Sequence, residues 1–297
     1  MQILYNYYTA PGMSVSGAIG TLRQALDASY DTYYQLCGLP LEIGHLAEER
    51  LERERAKFSK DQQLIEMLQH LADNLFLTWI KEDRLYLDAH GTSDLFRHPE
   101  IQDYLNNMLP RCVQALQALE EPIQWDNQKD LKRAYALLYS DQMILSDDFG
   151  NLLSNCNFYL NDDISIIFTF VTRALKGVNN KKPYSQQLKP PYPNKEDEDF
   201  GPLLLEKAIV GKEEYRELLS QYFVGWDKER VSEIDYIIMQ LAVTEALNFP
   251  SIPTNVTLNE YLDLAHYYSS PTSHVFINGI LHQLFTELKK EGRIWGV

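Results

Sequence analysis

Along most of this chain apolar side chains return every three or four residues, a spacing that becomes one continuous face only on an α-helix. Leu22, Leu26, Tyr30, Tyr33 and Leu36 keep such a face for about four turns before Gly38 and Pro40 interrupt it. The pattern returns in Leu64, Met67, Leu68, Leu71 and Leu75, and again in Tyr104, Leu105, Met108, Leu109, Val113 and Leu116. Strand-type alternation is nearly absent, so the spacing predicts an all-α protein. With 45% hydrophobic residues in 297, the chain has enough apolar surface to bury a substantial core, and its 14 Gly and 13 Pro leave long helices intact.

Residues 177–199 break the pattern. They gather prolines and a charge run with no apolar period, which reads as a linker, either between independent domains or crossing the outside of one body. The expected organisation is therefore a helical region over 1–176, a linker over 177–199 and a helical domain over 200–297. A faint repeat flanks the linker: residues 146–154 align with 212–220, and an amphipathic helix follows each, carried by Ile164, Ile167, Phe168 and Val171 in one copy and by Ile234, Ile237, Ile238 and Leu241 in the other. Chance likeness between amphipathic helices is the competing explanation.

Composition narrows the chemistry. A net charge of −15 repels a polyanion at long range, so any nucleic-acid role has to rest on a local patch or on a basic partner. Cys37, Cys112 and Cys156 are too widely spaced for a disulfide framework or a metal knuckle and read as buried thiols. There is no glycine-rich phosphate loop, HExxH or GxSxG, and His266, His274 and His282 recur every eight residues, which on a helix is not one face. The expectation is no catalytic residues, no cofactor and no metal site. The absence of a long apolar run and of a leader-like N-terminus leads to the expectation of a soluble, cytoplasmic protein with no membrane partner.

The last seventy or so residues carry more information. One helix is expected to stop near Leu247, ahead of Pro250 and Pro253. A second opens on the capping box Thr257, Leu258, Asn259, Glu260. A third is expected to start with Ser270 as N-cap and Pro271 at the first helical position, with Phe276, Ile277, Ile280, Leu281, Leu284, Phe285 and Leu288 facing inward and Gly292 at the stop. Within it Gly279 costs roughly 1 kcal/mol against alanine, and Asn278 sets an amide beside the apolar stripe. Close helix approach accounts for the glycine and a buried hydrogen bond for the asparagine, unless both serve a binding site.

These residues resemble the C-terminal half of the NusB family of bacterial transcription antitermination factors. The likeness lies in residues 242–245, in Pro253 with Val256, Leu258, Asn259 and Glu260, and above all in LNEY followed by FINGIL at Phe276 to Leu281. With a preceding helix from about Phe200 to Val224 it covers close to 100 residues, and Gln2 to Tyr5 resemble the end of the family's first helix. The resemblance implies a NusB-like helical bundle with a large helical insertion in the N-terminal half, as in the enlarged Bacteroides-group type.

It also implies a non-catalytic factor that binds boxA-like single-stranded RNA together with NusE, the ribosomal small-subunit protein, within the transcription elongation complex. Thr272, Phe276, Asn278 and Gly279 would approach RNA, with the Phe276 ring either stacked on a base or packed in the core. Gln240 occupies a position open to arginine in relatives and would offer a phosphate a neutral hydrogen bond. Tyr5 and Asp235 would face NusE, whose basic surface suits an acidic partner. Family members place an arginine-rich turn ahead of the segment matching Gln2, so either Met1 is an internal methionine, the favoured reading, or that RNA handle is lost. The alternative to an RNA-binding factor is a helical protein-interaction scaffold without direct RNA contact.

Overall fold

The computed structural model describes residues 1–58, 61–90, 95–223 and 231–294, which contain helices and connecting turns and no strand. In chain order the helices are α1 (Gln2–Thr9), α2 (Val15–Leu36), α3 (Leu39–Ala56), α4 (Gln62–Ala72), α5 (Leu75–Lys81), α6 (Arg84–His90), α7 (Pro99–Gln117), α8 (Gln128–Leu138), α9 (Asp147–Cys156), α10 (Ile164–Gly177), α11 (Lys195–Val210), α12 (Lys212–Ser220), α13 (Glu233–Asn248), α14 (Thr254–Tyr268) and α15 (Ser273–Lys290). The periodicity is thus realised, with boundaries set by local chemistry. Leu75 does not close the helix of Leu64 to Leu71: the Asn74 side-chain oxygen accepts the Phe76 and Leu77 amides at 3.0 and 3.2 Å and starts α5 there. Pro40 lies in the first turn of α3, where a missing amide costs nothing.

The chain forms two compact units, one from Met1–Gln24 with Tyr192–Val297 and one from Ala25–Pro191. The second is therefore inserted, in sequence, between two stretches that make the first. Its boundaries differ from those expected at 176 and 199, because most of the expected linker is packed structure. Val178, Tyr184 and Leu188 are buried in the core of the inserted unit. The Tyr184 hydroxyl donates to the Cys37 carbonyl at 2.7 Å, the Tyr33 hydroxyl accepts the Lys189 amide at 2.9 Å, and the Ser185 amide and hydroxyl both donate to Asp83 Oδ2, at 2.7 and 2.6 Å. A strap that plugs single side chains into a core shows no period, so pattern rules read it as loop. The charge run beyond it belongs to α11, where the Asn194 cap accepts the Asp197 amide and Glu196, Asp197 and Glu198 complement the helix dipole.

The inserted unit is centred on Phe76, Tyr86, Tyr135, Tyr139 and Tyr184. Cys37 and Cys112 are buried among them and Cys156 is half-buried; burial pushes the Cys112 thiol up to about 12. The two copies of the sequence repeat each form a packed helix pair, α9 with α10 in the inserted unit and α12 with α13 in the other. At Gly150 the first pair comes so close that a Cβ would meet Ile164 Cγ2 at 2.9 Å.

In the other unit α13 is the axis, with α1, α11, α12, α14 and α15 packed around it. Every residue from Ile237 to Ala246 is buried, which is what a helix surrounded on all sides requires. The expected separate helix from Phe200 is instead α11 and α12, jointed at Gly211, and Val224 lies outside the described residues.

The strap yields a pH-dependent prediction. Burial alone would raise the Asp83 carboxyl, but hydrogen bonds from Ser185 and from the Tyr86 and Leu85 amides outweigh it and hold the group below the usual carboxylate range. A lowered pKa stabilises the fold above the ordinary carboxylate value of ~3.9, and this contribution disappears as pH falls through the lowered value. Asp83→Asn should therefore lower Tm at neutral pH, and the gap to the unmodified protein should close on acidification below about pH 4; a gap constant with pH would refute the assignment.

Candidate functional site

On α13 Gln240 has 0% exposure: its amide nitrogen donates to the Tyr8 hydroxyl of α1 at 2.8 Å and to the Ala208 carbonyl of α11 at 2.6 Å, while its Oε1 is buried with no hydrogen-bond partner among the described residues. The expected phosphate contact at Gln240 is therefore corrected, since the group ties three helices together out of reach of a ligand. Asp235, expected to face a partner, is likewise buried. It accepts hydrogen bonds from the hydroxyls of Ser269 and of Ser273, the latter at 3.1 Å, and its amide is capped by Ser232. It clamps the start of α15 to the start of α13. Further along, the Tyr261 hydroxyl of α14 donates to Glu245 Oε2 at 2.9 Å, and burial followed by the Glu245 charge pushes the Tyr261 phenol up.

The expected starts of α14 and α15 shift in opposite directions. Pro253 opens α14 a turn before Thr257, leaving that threonine inside the helix and buried instead of capping it. Ser270 forms a turn with Ser273, whose amide donates to the Ser270 carbonyl at 2.9 Å, and the N-cap of α15 is Thr272. At its other end Gly292 adopts a positive φ of 69°, and the Arg293 amide reaches the Leu288 carbonyl at 2.9 Å, the stop expected of that glycine.

Helix α15 divides the remaining site residues in two. Phe276 is 7% exposed and packs against Phe223 with ring centroids 5.8 Å apart, so its place is the core and no ring face is free for a base. Thr272, Asn278 and Gly279 are exposed. A Cβ at Gly279 would meet nothing within 4 Å, so the expected close helix approach is absent, and Asn278 makes no buried hydrogen bond. Together with Val275, 63% exposed, and His282, these residues form one open stripe at helical spacing. Residues 264–286 contain no Asp or Glu, in a chain with 42 of them. On α1, Tyr5 is 39% exposed.

Residues 167–285 match the model of the NusB family. This chain carries a NusB-family domain. Over 96 residues it is 30% identical to the transcription antitermination protein NusB of Salinibacter ruber, covering 32% of this chain and 60% of that relative. It is 36% identical over 94 residues to NusB of Dictyoglomus turgidum, covering 31% of this chain and 65% of the relative, and 40% identical over 74 residues to NusB of Natranaerobius thermophilus, covering 25% and 53%. The chain thus spans less than two thirds of these relatives' own length. No solved structure matches.

One feature of the unit centred on α13 carries no signal in the sequence. Lys212 Nζ stands 4.2 Å over the Tyr8 ring, and Arg216, ion-paired with Glu233, lies 5.5 Å from that ring and 5.0 Å from the ring of Tyr236. Nothing local in the sequence marks Tyr8 or Tyr236, because the cations over their rings come from another helix. The geometry of α15 gives a paired prediction: Gly279→Ala should stabilise the protein by up to ~1 kcal/mol, because an exposed helical glycine is replaced without a clash, whereas Asp235→Ala should cost ~1.5–3 kcal/mol by breaking hydrogen bonds to a buried charge. Thermal unfolding of both variants checks this, and a loss of stability in Gly279→Ala would contradict the open environment.

Proposed function

We propose that this protein acts in transcription antitermination, binding boxA-like single-stranded RNA together with NusE in the elongation complex. The observation that carries the reading is the match of the 167–285 segment to the NusB family and to proteins named for antitermination. The geometry supports a particular version of it. RNA would run along the open stripe of α15, with the Thr272 hydroxyl and Asn278 amide as hydrogen-bonding groups and Gly279 allowing the chain close to the helix backbone. Gln240 and Phe276 would hold that helix set without touching RNA, and Asp235 would fix its start.

The stripe carries no Lys or Arg from 264 to 286, so it lacks the charges that give a lone protein its phosphate affinity. A basic partner supplies them, and Tyr5 on the exposed side of α1 is a contact for it. The preference for a labelled boxA-like RNA over an unrelated single strand should accordingly be weak for the protein alone and strongly enhanced by NusE. Asn278→Ala should weaken the ternary complex about tenfold with Tm unchanged, while Gln240→Ala should lower Tm first. No enhancement by NusE, together with unchanged RNA affinity in Asn278→Ala, would refute this reading and favour a protein-interaction scaffold.

A further inference from the structure

The inserted unit contains a surface whose charge runs against that of the whole protein. Residues 164–191 hold Arg173, Lys176, Lys181, Lys182 and Lys189 and no carboxylate, although the chain has a net charge of −15. Elsewhere many cations are neutralised locally, as in Arg53 with Glu49, Lys57 with Glu54, Arg133 with Glu121 and Lys195 with Glu198 and Asp199. Among the described residues, none of these five cations has an ion-pair partner.

Their arrangement is built, not scattered. On α10 the exposed residues Ile166, Thr169, Arg173 and Lys176 follow one another at helical spacing, with the half-buried Phe170 between them. The strap returns alongside and sets Lys189 Nζ 4.1 Å over the Phe170 ring, with the Arg173 guanidinium 6.0 Å from the same centroid. One ring thus orients two cations from different segments. At the far end of α10 the Gln128 amide of α8 approaches the Val178 carbonyl at 3.4 Å, and Lys132 follows one turn later on the same side of α8. The neighbouring acid of α8, Asp130, is already engaged by the Gln124 amide at 3.0 Å.

We propose that the outer side of α10 and the strap over 178–189 bind the phosphate backbone of single-stranded RNA without sequence selection. A row of unpaired cations supplies the phosphate contacts, and the apolar and aromatic groups between them suit unpaired bases. This surface differs from the α15 stripe in both position in the chain and chemistry: it holds charge where the stripe has none. An extended unpaired strand meets cations spread over a helix and a strap better than a compact anion would.

The test uses the full chain and a fluorescein-labelled uridine 20-mer, which contains no boxA-like element. The unmodified protein should bind it, with affinity falling steeply with salt. Replacing Arg173, Lys176 and Lys189 together by alanine should weaken binding at least tenfold near 50 mM salt and reduce the salt slope by about 2, at about 0.7 per single-strand phosphate contact. If that triple variant loses Tm, Lys181→Ala with Lys182→Ala, both on the exposed strap, should still weaken binding severalfold. Equal binding by the substituted and unmodified proteins would overturn the proposal, as would binding only to vesicles rich in phosphatidylserine with none to the 20-mer. NusE-enhanced binding of boxA-like RNA should persist in the variants, which separates failure here from failure of the antitermination reading.

Discussion

Everything in the unit built from Met1–Gln24 and Tyr192–Val297 depends on α13 being buried all round. An isolated helix of this length is marginal in water; this one is held by apolar contacts on every side and keyed by its polar residues. Asp235 engages Ser269 and Ser273, Gln240 engages Tyr8 and the Ala208 carbonyl, Glu245 engages Tyr261, and Asn248 engages the Tyr215 hydroxyl at 3.1 Å. These polar groups thereby tie α13 to particular neighbouring helices in one register. A buried polar side chain left without its partner costs more than the bond itself contributes, so these pairs specify the arrangement as well as stabilise it.

The consequence for function is a division of labour along α15. Its inner face, with Phe276, Ile277, Ile280, Leu281 and Leu284, belongs to the core, while Thr272, Val275, Asn278, Gly279 and His282 face outward. Gly279 makes no close packing contact, and as an exposed helical glycine it weakens the helix locally. The stripe is neutral, since residues 264–286 contain no Asp, Glu, Lys or Arg.

The inserted unit follows a different logic. Its core is rich in buried tyrosines, whose hydroxyls serve as anchors: Tyr184 to the Cys37 carbonyl, Tyr86 to the Tyr34 carbonyl at 2.9 Å, and Tyr135 to the Asn74 amide at 3.2 Å. The Tyr184 anchor and the Tyr33 hydroxyl, which accepts the Lys189 amide, hold an aperiodic strap in place without regular secondary structure, and the strap in turn brings Lys189 over Phe170.

The sequence by itself determined that the chain is helical, where most helices lie, and that its end resembles NusB, because 3.6-residue periodicity, caps and short motifs are local properties. It also singled out Asn278 and Gly279 as residues that packing alone does not explain. It did not reveal which face they occupy. Phe276 looked as suited to a ligand as to the core, and Asp235 and Gln240 were expected to face a partner and RNA, since hydropathy along one helix cannot show how many neighbours surround it. Only tertiary packing decided that α13 is enclosed, which buried Asp235 and Gln240, and that Gly279 opens to solvent. The strap was illegible for the same reason: Tyr184 and the Lys189 amide are anchored by partners as distant in sequence as Cys37 and Tyr33, and long-range contacts leave no period in the chain that makes them.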